Sequence, residues 1–169
     1  MNNTSKYDFT VIVPLYNEED NVWALEEKLG AWLKAAPVRS CVLFVDDGST
    51  DSSFERVREV CGRNDHFYYL QLSRNSGLSA ALKAGFDAAE SPWLGYIDAD
   101  LQTTPEDFNL LLSHTGDYDM VIGIRAHRRD TGFKKLQSKI ANGFRRKMTG
   151  DGVADTGCPL KVISTPLAK

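Results

Sequence analysis

Five short β-rich segments, Phe9 to Val13, Cys41 to Asp46, Phe67 to Leu72, Trp93 to Ile97 and Met120 to Ile124, recur along the chain. The first four are separated by stretches of helical period, with apolar positions at Val22, Leu25, Leu29 and Trp32, then Phe54, Val57 and Val60, then Leu78, Leu82 and Phe86. Strands joined by helices of this length build βαβ units, so the pattern predicts an α/β fold with a mostly parallel sheet covered on both faces. Helix starts are marked by Ser52 with Glu55, which fits a capping box, and by Thr104-Pro105-Glu106-Asp107, which places an N-cap ahead of a proline. Sheets of this kind bind ligands beyond the C-terminal ends of their strands. Chemistry is therefore expected at Pro14 to Glu18, Asp46 to Ser49, Ser73 to Gly77, Asp98 to Gln102 and Arg125.

No repeat or linker divides the 169 residues, and a single domain over 1–169 is expected. At this length roughly 70% of the unfolded surface can be buried, so no disulfide or structural metal is required. The three cysteines, Cys41, Cys61 and Cys158, are odd in number and lack C-x-x-C spacing, which argues against a disulfide framework or zinc cluster. No apolar run approaches the roughly 18 residues that span a bilayer. Met1 to Ser5 lacks the basic and apolar regions of a secretory signal, so a cytoplasmic location is expected.

Charge is unevenly spread. The chain carries −3, yet Arg125 to Lys147 holds nine Lys or Arg against the single acid Asp130. A segment of that kind is either a solvated face or a surface for phosphates and anionic lipid. Overlapping its second half, Lys134 to Thr149 reads as an amphipathic helix with Leu136, Ile140, Phe144 and Met148 on one side.

Three post-strand motifs carry chemistry. In Asp98-Ala99-Asp100-Leu101-Gln102, two carboxylates at i and i+2 and a carboxamide at i+4 would share one side of an extended strand end. Hard divalent cations take such oxygen ligands together with phosphate oxygens and water, which suggests a metal–diphosphate site; an acidic strand end capping the next helix is the alternative. Val45-Asp46-Asp47-Gly48-Ser49-Thr50-Asp51 can hold a ribose or base edge, or be a capped turn in which Gly48 supplies backbone freedom. Val13-Pro14-Leu15-Tyr16-Asn17-Glu18 offers an aromatic for base stacking, or a helix entry with Asn17 as its cap.

Taken in order, Val-Pro-x-Tyr-Asn-Glu at 13–18, Val-Asp-Asp-Gly-Ser-Thr-Asp at 45–51, Arg-Asn-x-Gly at 74–77, Asp-Ala-Asp-Leu-Gln at 98–102 and Gly-x-Arg at 123–125 resemble the family 2 glycosyltransferases. Within them the chain is similar to the dolichol- and polyprenyl-phosphate sugar synthases, and Asp155 to Lys161 resembles their later Asp-x-x-Gly-x-x-Lys/Arg element. The resemblance implies a GT-A fold, a Rossmann-like three-layer sandwich that takes a nucleoside-diphosphate sugar with Mg²⁺ or Mn²⁺. On that pattern Pro14, Tyr16, Glu18, Val45, Asp47, Asp98 and Ala99 surround the nucleotide, and Asp100 and Gln102 ligate the metal. Arg125, Lys134 and Ser138 hold the phosphate of a polyprenyl acceptor, within a basic acceptor-side segment at 125–149; Asp98, Asp100 and Arg125 are the implied catalytic residues. Lys134 replaces an Arg of some members, which loses a bidentate fork but keeps the charge.

The resemblance further implies an inverting transfer in cell-envelope glycan synthesis, with peripheral contact at the cytoplasmic face of the membrane and no nucleic-acid partner. A homo-oligomer stays open. The group continues for some tens of residues past the Asp155 element, so the chain reads as shortened at its C-terminus. Two alternatives remain at this level: a transferase acting on a sugar hydroxyl, for which Asp155 is the evident base, and a non-catalytic nucleotide-binding module. A receiver-type signalling domain also pairs acids at strand ends, but the Asp98, Asp100 and Gln102 row and the acidic pair Asp46 and Asp47 together do not suit it.

Overall fold

The computed structural model describes residues 4–123 and 160–169. The segment 125–149 with Arg125, Lys134 and Ser138, its expected helix, and Asp155 and Cys158 lie outside the described residues.

The elements run β1 Phe9–Leu15, α1 Val22–Ala35, β2 Ser40–Asp46, α2 Ser53–Arg63, β3 Phe67–Gln71, α3 Leu78–Ala88, β4 Trp93–Tyr96, α4 Asp107–Leu112, β5 Met120–Ile122, β6 Lys161–Ser164 and α5 Thr165–Ala168. All five expected strands form. They join β6 in one sheet of order β3-β2-β1-β4-β6-β5. β1 pairs parallel with β2 and β4, and β2 with β3, whereas β6 runs antiparallel to both β4 and β5.

Every residue of β1 and β2 is buried, as befits central strands of a parallel sheet covered on both sides. Their side chains alternate between two cores. On one face Phe9, Val11, Val13, Leu15, Val42 and Phe44 pack with Leu25, Leu29 and Trp32 of α1, Val57 and Val60 of α2, and Phe108 of α4. Ile12, Leu43, Val45 and Leu94 pack on the other with Ala81, Leu82 and Phe86 of α3 and Ala168 of α5. The result is three layers. Phe9, Trp32 and Phe108 meet edge-on or tilted with centroids 5.2–6.2 Å apart, and a Cβ on Gly95 would stand 2.6 Å from the Phe9 ring. β4 therefore fits this cluster only with glycine there.

Local signals differ from the sequence reading at three places. The buried line of α3 is Ala81 and Gly85, while Leu78 is 54% exposed. A Cβ on Gly85 would come within 2.7 Å of Ile12; small residues bring this helix onto the sheet, and the larger Leu82 and Phe86 flank the contact. The Ser52/Glu55 box does not form, because Ser52 makes no side-chain cap and its N–H donates to Glu19 Oε2 at 3.1 Å. α4 begins at Asp107 after a tight turn in which the Thr104 hydroxyl donates to Asp107 Oδ2 at 2.9 Å.

Strand order reverses at β1: β2 and β3 lie to one side of it, β4 and β6 to the other. A reversal of this kind opens a crevice between the two strand ends, here between Leu15 and Ile97, and that crevice is where ligands enter doubly wound sheets.

Candidate functional site

Two pairs of loops are knitted together at the C-terminal edge. In the first, the loop after β1 is bound to the loop after β2. Asn17 N–H donates to Ser49 Oγ at 3.0 Å, and its Oδ1 accepts Thr50 N–H at 2.8 Å. Glu18 N–H donates to Ser53 Oγ at 2.8 Å, and Glu19 N–H to Asp51 Oδ2 at 3.3 Å. Burial opposes ionisation of Asp51, but its hydrogen bonds from Ser53 and Glu19 outweigh that and hold the carboxyl below its ordinary value. Asn17 sits at φ 55, a left-handed conformation asparagine tolerates. It is thus a tie between loops; the cap position of α1 is Asn21. The outcome is a fixed platform with Tyr16 41% exposed on top.

The second pair joins the end of β2 to the loop before α3. Asp46 is fully buried and accepts Ser49 N–H at 3.3 Å and Gln71 Nε2 at 3.2 Å, closing the turn around Gly48. Asp47 is 4% exposed, and its two oxygens accept the N–H groups of Ser76 and Gly77, each at 2.8 Å. Gly48 has φ +70, and a Cβ there would stand 2.5 Å from the Arg74 carbonyl carbon. The capped turn expected of this motif forms. The same contacts fix the loop that presents Arg74, whose side chain is exposed and forms no salt bridge with the described carboxylates. Arg74 was not singled out as a site residue from the sequence, although it opens the Arg-Asn-x-Gly motif.

Beyond β4 the chain turns instead of continuing as a strand, so Asp98, Asp100 and Gln102 do not form the extended row their spacing suggested. Asp98 is half-buried, Ala99 buried, and Asp100 and Gln102 exposed. Gln102 N–H donates to Asp100 Oδ1 at 3.1 Å, and Leu101 adopts φ 61, unusual for a bulky residue. From α1, Lys28 Nζ donates to the Leu101 carbonyl at 3.3 Å. Two carboxylates and a carboxamide are thereby gathered in one short turn after the end of β4.

The remaining expected residues support this edge from below. Pro14 and Val45 are paired across β1 and β2 and buried. Val45 packs against α3, so its side chain lies beneath the edge. Glu18 is half-buried, with Oε2 accepting Asn21 Nδ2 at 2.6 Å. At the far side, Gly123 N–H donates to the Leu160 carbonyl at 3.0 Å, and Lys161 stands opposite Tyr96. Two open cavities of about 530 and 640 Å³ lie elsewhere, beside α1 and the start of β3, and include none of these residues. Residue chemistry and topology point to the strand edge over those cavities.

The sequence model of glycosyl transferase family 2 matches residues 10–165. The chain belongs to this family. It is 34% identical over 166 residues to dodecaprenyl-phosphate galacturonate synthase of Rhizobium johnstonii, covering 96% of this chain and 49% of that protein. It is 37% identical over 154 residues to undecaprenyl-phosphate 4-deoxy-4-formamido-L-arabinose transferase of Pectobacterium carotovorum, covering 90% of this chain and 47% of that one. This family 2 chain thus spans about half the length of the curated relatives it matches. Among solved structures, glucosyl-3-phosphoglycerate synthase of Mycobacterium tuberculosis, in complex with Mn²⁺, UDP-glucose and phosphoglyceric acid, superposes with TM-score 0.73 at 16% identity over 95% of this chain and 58% of that one. A mannosyltransferase of Pyrobaculum calidifontis, in complex with GDP-mannose and Mn²⁺, gives 0.59 at 23% identity over 78% and 39%. The fold is the GT-A sandwich expected from the motifs.

Proposed function

We propose that this family 2 chain is the nucleotide-sugar-binding core of an inverting transferase that moves a sugar from a nucleoside-diphosphate sugar to a polyprenyl phosphate. One observation carries the reading: the oxygen-rich turn Asp98 to Gln102 and the exposed Tyr16 flank the crevice where strand order reverses. The names of the curated relatives support the lipid-phosphate acceptor, and the complexes of the structural neighbours support a nucleotide with a divalent cation.

The donor set fits a hard cation. Asp100 and Gln102 offer oxygen ligands with Asp98 beside them, and no cluster of three His, Cys, Asp or Glu occurs among the described residues. A cation such as Mg²⁺ or Mn²⁺ held by so few protein groups completes its shell with phosphate oxygens and water. When bound, it supplies charge neutralisation for the departing diphosphate. Tyr16 gives the base an aromatic face, with Glu18 beside it, Pro14, Val45 and Asp47 shaping the floor, and Asp98 and Ala99 lining the ribose and diphosphate. Arg74 adds positive charge on the nucleotide side.

A phosphate oxygen of the acceptor attacks the anomeric carbon from the face opposite the leaving group. The new carbon–oxygen bond forms as the bond to the nucleoside diphosphate breaks, which inverts the centre. A phosphate is already ionised near neutral pH, so this acceptor needs cationic positioning and no general base. Arg125, Lys134 and Ser138 are assigned that task. A lipid acceptor also places the chain at a membrane surface, on its cytoplasmic face, through the basic segment 125–149; no helix among the described residues is long and apolar enough to cross the bilayer.

Thermal shift with UDP, GDP and their sugars, with and without Mn²⁺, followed by transfer of labelled sugar to undecaprenyl phosphate, tests the reading. Mn²⁺-dependent stabilisation by a nucleotide is expected. No stabilisation by any of them, at millimolar concentration, would remove its basis.

A further inference from the structure

β4, β5 and β6 contain a single charged residue, Lys161. It opens β6, the middle strand of the three, and the register places it opposite Tyr96 on β4 and Ile122 on β5. These are the last rungs before the Asp98 to Gln102 turn on one side and Gly123 on the other. The side chain is half-buried, and its ammonium lies 5.6 Å from the centroid of the Tyr96 ring.

A lysine on an interior strand loses hydration along its stem, and an aromatic face beside its head offsets part of that loss. The ring engages one side of the ammonium and fixes it at the strand end. There it adds positive charge next to a turn that carries two carboxylates, where a phosphate approaching the site would otherwise meet net negative charge.

We propose that Lys161 is a phosphate-binding residue of the transfer site, held in place by Tyr96. The inference rests on the transferase reading above. A phosphate oxygen at this position has two sources, the diphosphate of the donor and the phosphate of the acceptor, and direct binding measurements separate them.

The test uses the full chain, its Lys161→Met variant, which keeps an unbranched apolar stem, and Lys161→Arg, which keeps the charge. Calorimetric titration with UDP and with GDP in Mn²⁺ reads the donor side, and titration with farnesyl phosphate in detergent micelles without nucleotide reads the acceptor side. For Lys161→Met the affinity of one arm is expected to fall roughly ten-fold, the usual scale for losing one hydrogen bond to a charged group. Lys161→Arg should stay near the parent, and the Tm of both variants should hold within about 2 °C, since both replacements keep the apolar stem. The arm that falls identifies the phosphate, and a fall in both places Lys161 between them. Parent-like binding by Lys161→Met in both arms overturns the inference while leaving the transferase reading intact. Failure of the parent itself to bind either probe overturns both.

Discussion

Asp47 Oδ2 accepts the backbone N–H of Gly77 at 2.8 Å, across the gap between the end of β2 and the start of α3. The companion oxygen accepts Ser76 N–H at the same distance. The second acid of the Asp46-Asp47 pair therefore holds a loop. Its carboxylate restrains the segment that carries Arg74, which links sheet geometry directly to the charge presented at the edge.

Asp47→Asn should expose the importance of that restraint. One acceptor becomes an NH₂ facing an N–H, leaving a buried donor unsatisfied at a cost of about 1–3 kcal/mol. Denaturant unfolding should report the loss, and amide exchange at Ser76 and Gly77 should accelerate ahead of the rest of α3. Unchanged exchange at both amides would show that the carboxylate does not hold the loop.

Gly48 and Gly77 both have positive φ, but their surroundings differ. A Cβ at 48 meets Arg74 and Asn75 backbone at 2.5–2.8 Å, whereas at 77 nothing lies within 4 Å. Gly77→Ala should destabilise by about 1 kcal/mol from conformation alone. Gly48→Ala should be worse by at least about 1 kcal/mol, since backbone cannot swing aside as a side chain can. Comparable unfolding midpoints for the two variants would contradict the close approach of the loops.

The legible part of the fold was its period. The apolar runs Val11 to Leu15 and Cys41 to Val45, and α1 with Leu25, Leu29 and Trp32 on one face, announce their burial directly. β6 was not read, because Lys161 to Ser164 offers only two apolar residues and its pairing comes from β4 and β5. α3 misled because small residues form its buried line: Ala81 and Gly85 carry little hydrophobic signal, yet Gly85 is what admits Ile12 and Val45. At the strand edge, motifs named the segments that lie there but not their geometry. Spacing alone cannot show that Leu101 turns left-handed or that Asp47 faces Ser76 and Gly77, since both follow from contacts between distant loops.

Cys41 and Cys61 make the alkaline limb informative. Burial pushes each thiol from the ordinary 9.0 up to about 12, helped at Cys61 by the Glu26 charge and opposed at Cys41 by Thr10 and Lys6. Above pH 9 the unfolded chain releases these protons while the folded one keeps them, so stability is full below pH 9 and falls as pH rises towards 12. Burial also raises Tyr7, with help from Tyr68, and that group adds to the slope above pH 10. The Cys41→Ala/Cys61→Ala variant should be less stable overall but flatter between pH 9 and 10, as read by urea unfolding at each pH. An identical slope in parent and variant would mean that neither thiol is shifted.

Asp100→Ala separates coordination from packing. The side chain is exposed and, among the described residues, accepts only the Gln102 N–H within its own turn, so its removal should change Tm by no more than about 2 °C. Loss of one of few oxygen ligands should instead abolish the part of UDP or GDP stabilisation that depends on Mn²⁺. Leu101 provides the control. Its left-handed conformation, worth of order 1–3 kcal/mol in a non-glycine residue, persists because the turn is held from α1 by Lys28. Leu101→Asn accepts that conformation and keeps the turn, so it should retain the Mn²⁺-dependent shift that Asp100→Ala loses. If both variants behave alike in the Mn²⁺ titration, the turn matters only as backbone and Asp100 is not a ligand.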